Sequence, residues 1–251
     1  MNKKTVLITW ASSWIWKSLS YLYIKKWFKV IAISRSEKKL EELEKYVWDK
    51  NLIIKSCDLT NNKDIDLLIT FIKNKSLNID ILINNAWIWS FESFLDISKD
   101  EIKKIFNTNV LGHIFLTQSI LKSFKVSNIT FVSSLAWKIW FKNLSIYSSS
   151  KFAIEWFCDS LYEELIDKNI KVTIIRPWIV DTNFFDNTNF IDYANKIRSK
   201  MQSSNFVASE IYKAIKVWYK EYTIGNDKYF LFLQKLLPKF LHRKILYLFI
   251  N

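Results

Sequence analysis

Short apolar runs alternate along the chain with stretches of helical spacing, and this alternation limits the fold more than any other feature. Residues 6–9, 30–34, 52–56, 79–83, 129–132 and 172–175 are continuous apolar runs, as strands covered on both faces are. Between them, residues 15–26, 37–47, 63–73, 100–124 and 148–167 carry apolar residues at helical intervals. Strands alternating with helices imply right-handed crossovers and a parallel sheet. The expectation is one doubly wound α/β domain spanning 1–251, with its ligand at the carboxyl ends of the strands.

Composition narrows the class further. With 251 residues the chain is long enough for one substantial core. Half of it is apolar and 24% is charged, which excludes disordered and collagen-like chains. Two cysteines, Cys57 and Cys158, make no disulfide framework and no metal cluster surrounds them, so no metal is expected. A reducing, cytoplasmic setting fits. The N-terminus runs straight into a strand without a long apolar signal, and no run of 18 apolar residues would span a membrane. The net charge of +13 is carried mostly by lysine, as AT-rich codons would produce. No basic cluster interleaved with aromatics reads as a nucleic-acid motif, so no nucleic-acid partner is expected.

Two counts are abnormal: 2 glycines and 12 tryptophans. Average glycine usage of about 7% would give roughly 17. After the first strand comes Thr9-Trp10-Ala11-Ser12-Ser13-Trp14-Ile15-Trp16-Lys17. Three indoles would crowd a loop whose backbone must approach a phosphate at a helix N-terminus. With glycine at each tryptophan, the loop resembles the nucleotide loop of the short-chain dehydrogenase/reductase family.

Further motifs follow in that family's order. Asn84-Asn85-Ala86-Trp87 stands where the family has NNAG. Asn109-Val110-Leu111-Gly112 is similar to its Asn-x-x-Gly motif, and Ser133-Ser134 ends the fifth strand. Tyr147-Ser148-Ser149-Ser150-Lys151 supplies Tyr-x-x-x-Lys, and Pro177-Trp178 stands for Pro-Gly. The resemblance covers residues 5 to about 182 and implies a Rossmann fold. Trp10, Trp14, Trp16, Trp87, Trp89, Trp137, Trp140, Trp156 and Trp178 all fall where the family commonly carries glycine. Trp27 sits at a turn before the second strand, and Trp48 and Trp218 at helix ends where glycine C-caps are common. Counting them as glycine gives fourteen, an ordinary number. The expectation is an alternative genetic code that reads UGA as glycine, with tryptophan printed by a different translation.

The residues also suggest the chemistry. Tyr147 and Lys151, four apart, project from one helix face. An ammonium beside a phenol favours phenolate and lowers its pKa. The resemblance implies that Tyr147 exchanges a proton with the substrate oxygen and that Lys151 also holds the nicotinamide ribose. It further implies that Ser134 binds the substrate oxygen and that Asn109 orients a water in a relay to Lys151. The cofactor contacts it implies are Thr9, Trp10, Ser12, Ser13, Trp14, Ile15, Asn85, Ala86, Trp87, Pro177, Trp178 and Thr182. Asp58-Leu59 resembles the pair beside the adenine, with an N-cap as the alternative role for Asp58. The second strand ends in Arg35 with no acid, which favours NADP(H) over NAD(H) through a 2′-phosphate contact. His113 and His242 stand isolated and are expected to be structural.

The leading reading is an NADP(H)-dependent oxidoreductase (EC 1.1.1.-) interconverting a small-molecule carbonyl and an alcohol, with a lipid-like substrate among the options. A 3-oxoacyl reductase of fatty-acid synthesis is the alternative within the class. A non-catalytic nucleotide-sensing or scaffold protein is the alternative if the tryptophans are literal. Residues 1–182 would form the cofactor and catalytic core, 183–206 the substrate lid, and 226–251 an apolar basic tail. Within that tail, 229–250 holds Lys235, Lys239, Arg243 and Lys244 and no acid. Three roles stay open for it: peripheral contact with an anionic membrane, a pocket wall, or the helix of a homo-oligomer.

Overall fold

A computed structural model describes residues 3–11, 14–135, 142–178, 180 and 201–225. Seven parallel strands form one sheet: β1 Thr5–Thr9, β2 Lys29–Ser34, β3 Leu52–Ser56, β4 Ile81–Asn84, β5 Asn128–Val132, β6 Lys171–Arg176 and β7 Glu221–Thr223. Their order is β3-β2-β1-β4-β5-β6-β7. The helices are α1 Trp14–Lys25, α2 Glu37–Val47, α3 Asn62–Asn74, α4 Lys99–Phe106, α5 Gly112–Ser123, α6 Ser145–Leu165 and α7 Ser204–Val217. A five-residue π-turn, Asn107–Leu111, joins α4 to α5. The stretch read as one long helix over 100–124 is therefore two helices around a π-turn.

Alternate residues of the strands feed two cores, because side chains point to opposite faces of a strand. Val6, Ile8, Val30 and Ala32 pack with Leu19, Leu40, Leu43, Val207 and Ile211 from α1, α2 and α7. Leu7, Ile31, Leu82 and Ile129 pack with Leu68, Leu116 and Ile154 from α3, α5 and α6. Both faces are covered, which is why the central strands are apolar throughout. The direction of winding reverses between β1 and β4, and this opens a crevice at their carboxyl ends.

Two elements go beyond the sequence expectation. β7 has three residues, Glu-Tyr-Thr, and none of them is buried, so no apolar run announced it. α7 begins at the end of the 183–206 segment, where Ser203 caps the Phe206 amide and Val207, Ala208, Ile211, Ala214 and Ile215 are buried. Residues 183–200 of the expected lid and the whole 226–251 tail lie outside the described residues. Among the described residues, no helix is long and apolar enough to cross a membrane.

Candidate active site

Thr9 ties the two strands that flank the crevice. Its Oγ1 accepts the amides of Asn85 at 2.7 Å and Ala86 at 2.9 Å, and Asn85 Nδ2 donates to the Thr9 carbonyl at 3.3 Å. All of this is buried, so the β1 and β4 ends form one rigid floor. His113 supports that floor from α5, reaching the Ala86 carbonyl at 2.5 Å and the Asn84 side chain at 3.3 Å. Burial pushes His113 down to about 3, so it is neutral and structural, as its isolation suggested.

Gly112 sets a second close approach. A Cβ there would meet Leu59 Cβ at 2.8 Å and the Leu59 carbonyl at 2.9 Å, so only glycine lets α5 pack against the segment after β3. In the π-turn just before it, Asn109 is buried. Its Oδ1 accepts the Ile88 amide, and its Nδ2 donates to the Ile88 carbonyl and to Ser150 Oγ. Both amide hydrogens are thereby engaged. Ser150 in turn donates to the Tyr147 carbonyl at 2.7 Å. Asn109 thus braces the turn of α6 that carries Tyr147 and Lys151.

Lys151 is 2% exposed, and its Nζ donates to the Val132 carbonyl at 3.1 Å. It stands 5.5 Å from the Trp87 ring centroid and 5.8 Å from that of Tyr147. Burial lowers its pKa to about 7, against an opposing pull from Glu155. Ser134 hydrogen-bonds the Tyr147 phenol, which favours ionisation. Yet Tyr147 is only 7% exposed, with the rings of Trp87 and Trp89 at 5.9 and 6.4 Å. Desolvation therefore raises the phenol's pKa. This corrects the expectation of a lowered value: burial of the ring beside Trp87 and Trp89 outweighs the hydrogen bond from Ser134.

On the other side of the crevice, Trp10 lines a cleft with Arg35, Asp58, Leu59, Ala86 and Thr108. Arg35 is exposed at its rim. Asp58 caps no helix, since the N-cap of α3 is Asn61. Its carboxylate instead holds the Thr60 amide and hydroxyl in a turn. Pro177 is buried and Trp178 half-buried just after β6. Ser12, Ser13 and Thr182 lie outside the described residues, as do the side chains of Trp14 and Ile15. The crevice lies at the carboxyl ends of β1 and β4, where open α/β sheets take nucleotides. A dinucleotide does not fit the indoles of Trp10 and Trp87, which meet edge to face across the crevice at 5.8 Å.

One buried cluster escaped the sequence reading. Arg176 at the end of β6 makes three hydrogen bonds of 2.6–3.1 Å to Glu155, one turn after Lys151, and one of 2.8 Å to Glu221 of β7. The i, i+4, i+8 series Tyr147, Lys151, Glu155 was readable as a helix face. The partner on another strand was not.

Comparison with known proteins places this geometry. The model of the short chain dehydrogenase family matches residues 4–190. An NADP-dependent 3-hydroxy acid dehydrogenase of Schizosaccharomyces pombe is 31% identical over 192 residues, 73% of this chain and 74% of that protein. A 3-dehydrosphinganine reductase of Danio rerio is 27% identical over 236 residues, 90% of this chain and 70% of that protein. A solved short-chain dehydrogenase/reductase from Burkholderia phymatum in complex with NAD superposes with a TM-score of 0.78 at 17% identity, covering 88% of each chain. With the family model matched over most of the chain and a relative 31% identical over 73% of it, the chain belongs to the short-chain dehydrogenases and is a nicotinamide-dependent oxidoreductase.

Proposed function

We propose that the protein is an NADP(H)-dependent enzyme interconverting a carbonyl and an alcohol by hydride transfer, with Tyr147 supplying or taking the proton. The observation that carries this is the convergence of Ser134, Tyr147 and Lys151 at the crevice between β1 and β4. Ser134 is hydrogen-bonded to the phenol, and Lys151 lies within 5.8 Å of its ring. Ser134 holds the substrate oxygen against the phenol. Lys151, the cation beside it, stabilises the phenolate left after proton donation. Asn109 fixes the helix turn that carries both residues.

Arg35 on the rim of the adenosine side favours a 2′-phosphate, as does the likeness to an NADP-dependent relative in Schizosaccharomyces pombe. The substrate class extends to lipid-like ketones, given the likeness to a 3-dehydrosphinganine reductase. The reading requires the indoles of Trp10, Trp87 and Trp89 to be out of the cleft, and it therefore carries with it glycine at these positions.

The test is NADPH consumption against a panel of carbonyl compounds, run on the chain with glycine at the tryptophan positions. Tyr147→Phe should cut turnover about 10²–10⁴-fold while NADPH binding persists. A near-normal rate removes the phenol from the chemistry. Arg35→Ala should narrow or reverse the preference for NADPH over NADH in fluorescence titrations. An unchanged ratio means that another group reads the phosphate.

A further inference from the structure

We infer that the twelve tryptophans are glycines in the native protein, placed there by a reassigned codon. The inference extends the functional reading at the cleft, but its main support lies far from the cleft. Seven non-glycine residues among those described have positive φ, and four are tryptophan: Trp10 at 55°, Trp27 at 67°, Trp48 at 43° and Trp218 at 63°. Left-handed backbone costs a bulky side chain about 1–2 kcal/mol and costs glycine essentially nothing.

Three of these residues end helices in the manner usual for glycine. At the end of α1, the Phe28 amide donates to the Tyr23 carbonyl and the Trp27 amide to the Ile24 carbonyl. That is the paired bonding of a Schellman motif, with Trp27 at its left-handed position. At the end of α2, the Trp48 amide donates to the Glu44 carbonyl. At the end of α7, the Trp218 and Tyr219 amides both donate to the Ala214 carbonyl. Among the described residues, two other helical segments close the same way with residues that tolerate it better. Ser76 follows α3, and Asn169 follows the 3₁₀ turn after α6, at φ 51° and 55°. Tryptophan thus does the work that small polar residues do elsewhere in the same molecule.

What the indoles do is equally informative. Trp27 is 76% exposed and Trp48 87%, so neither buries the area that would offset its backbone strain. The indole nitrogen of Trp218 is buried without a hydrogen-bond partner. Trp10 and Trp87 meet across the cofactor crevice, and Trp87 and Trp89 cover the Tyr147 ring. Lys3 stands 5.2 Å from the Trp27 ring centroid and Lys171 4.9 Å from that of Trp218, contacts worth about 0.5–1 kcal/mol at exposed sites, less than the backbone cost they accompany. Trp156, exposed in mid-helix on α6, has no such geometric reason and is included because one codon change would act on all twelve together.

The test uses three forms of the full chain: tryptophan throughout, glycine at all twelve positions, and glycine at 27, 48 and 218 alone. The three-glycine form should melt on the order of 10 °C above the tryptophan form. The twelve-glycine form should bind NADPH in a fluorescence titration, and the tryptophan form should not. A tryptophan form as stable as the three-glycine form overturns the inference. So does tryptophan found at 27, 48 or 218 by mass spectrometry of the protein from its native host. If the glycine forms melt higher and no form binds NADPH, the codon assignment stands and the proposed cofactor chemistry falls.

Discussion

Lys151 and Glu155 stand one turn apart on the same face of α6, both almost fully buried, and the fold treats them in opposite ways. Glu155 is answered by three hydrogen bonds from Arg176, whose charge is further matched by Glu221. Burial nevertheless raises its carboxyl pKa, and Arg176 pulls it back down. Lys151 has a neutral carbonyl as its hydrogen-bond partner, and its pKa falls to about 7. One end of this stripe is complete in itself. The other is held at an energetic disadvantage, as a group awaiting a ligand is. The difference separates a structural ion cluster from the proposed catalytic lysine within a single helix turn.

The comparison can be broken at either end. Glu155→Gln should have the largest effect on stability, about 3 kcal/mol in urea unfolding. That is the low end of what breaking a buried pair costs, because Glu221 still faces Arg176. A loss below about 1 kcal/mol would mean that the cluster is no tighter than a surface pair. Lys151→Met should do the reverse and stabilise the fold, by on the order of 1–3 kcal/mol near pH 6.

The sign for Lys151 follows from linkage. Its folded pKa lies below its unfolded value of about 10.5, so the unfolded chain binds more protons between about pH 7 and 10.5. The wild-type chain therefore gains stability from this group as pH rises through that window. The advantage of Lys151→Met should shrink accordingly, reaching its minimum near pH 10. A pH-independent advantage would show that the lysine is not buried as a cation. The smallest effect belongs to Glu221→Gln, whose side chain is 51% exposed: about 0–1 kcal/mol, measurable as a slight fall in the urea midpoint.

How far the sequence anticipated these features depends on how local each one is. Five strands could be located as apolar runs buried along most of their length and β3, at one edge, by its Leu-Ile-Ile run, whereas β7, at the other edge, could not, having three residues and none of them buried. α7 had a legible signal in Ser203 followed by Val207, Ala208, Ile211, Ala214 and Ile215, but it lay beyond the last recognised motif. Tyr147 and Lys151 were legible from their spacing. The raised phenol pKa was not, because Trp87 and Trp89 reach the ring only after the β4 loop folds over α6. Arg176 and Glu155 are 21 residues apart in different elements, and no periodicity links them.

The Arg176 cluster also bears on how the chain is made. Arg176 and Glu155 leave the ribosome long before Glu221, which lies 45 residues further along. At about 5–20 residues per second, β6 waits some seconds with its outer edge unpaired and its arginine lacking the second carboxylate. An open edge is a template for pairing with another chain. A charged arginine at the end of that edge strand, short of one partner until β7 arrives, discourages a neighbouring nascent chain from docking there. The same guanidinium that locks the finished sheet thus guards it while the sheet is incomplete.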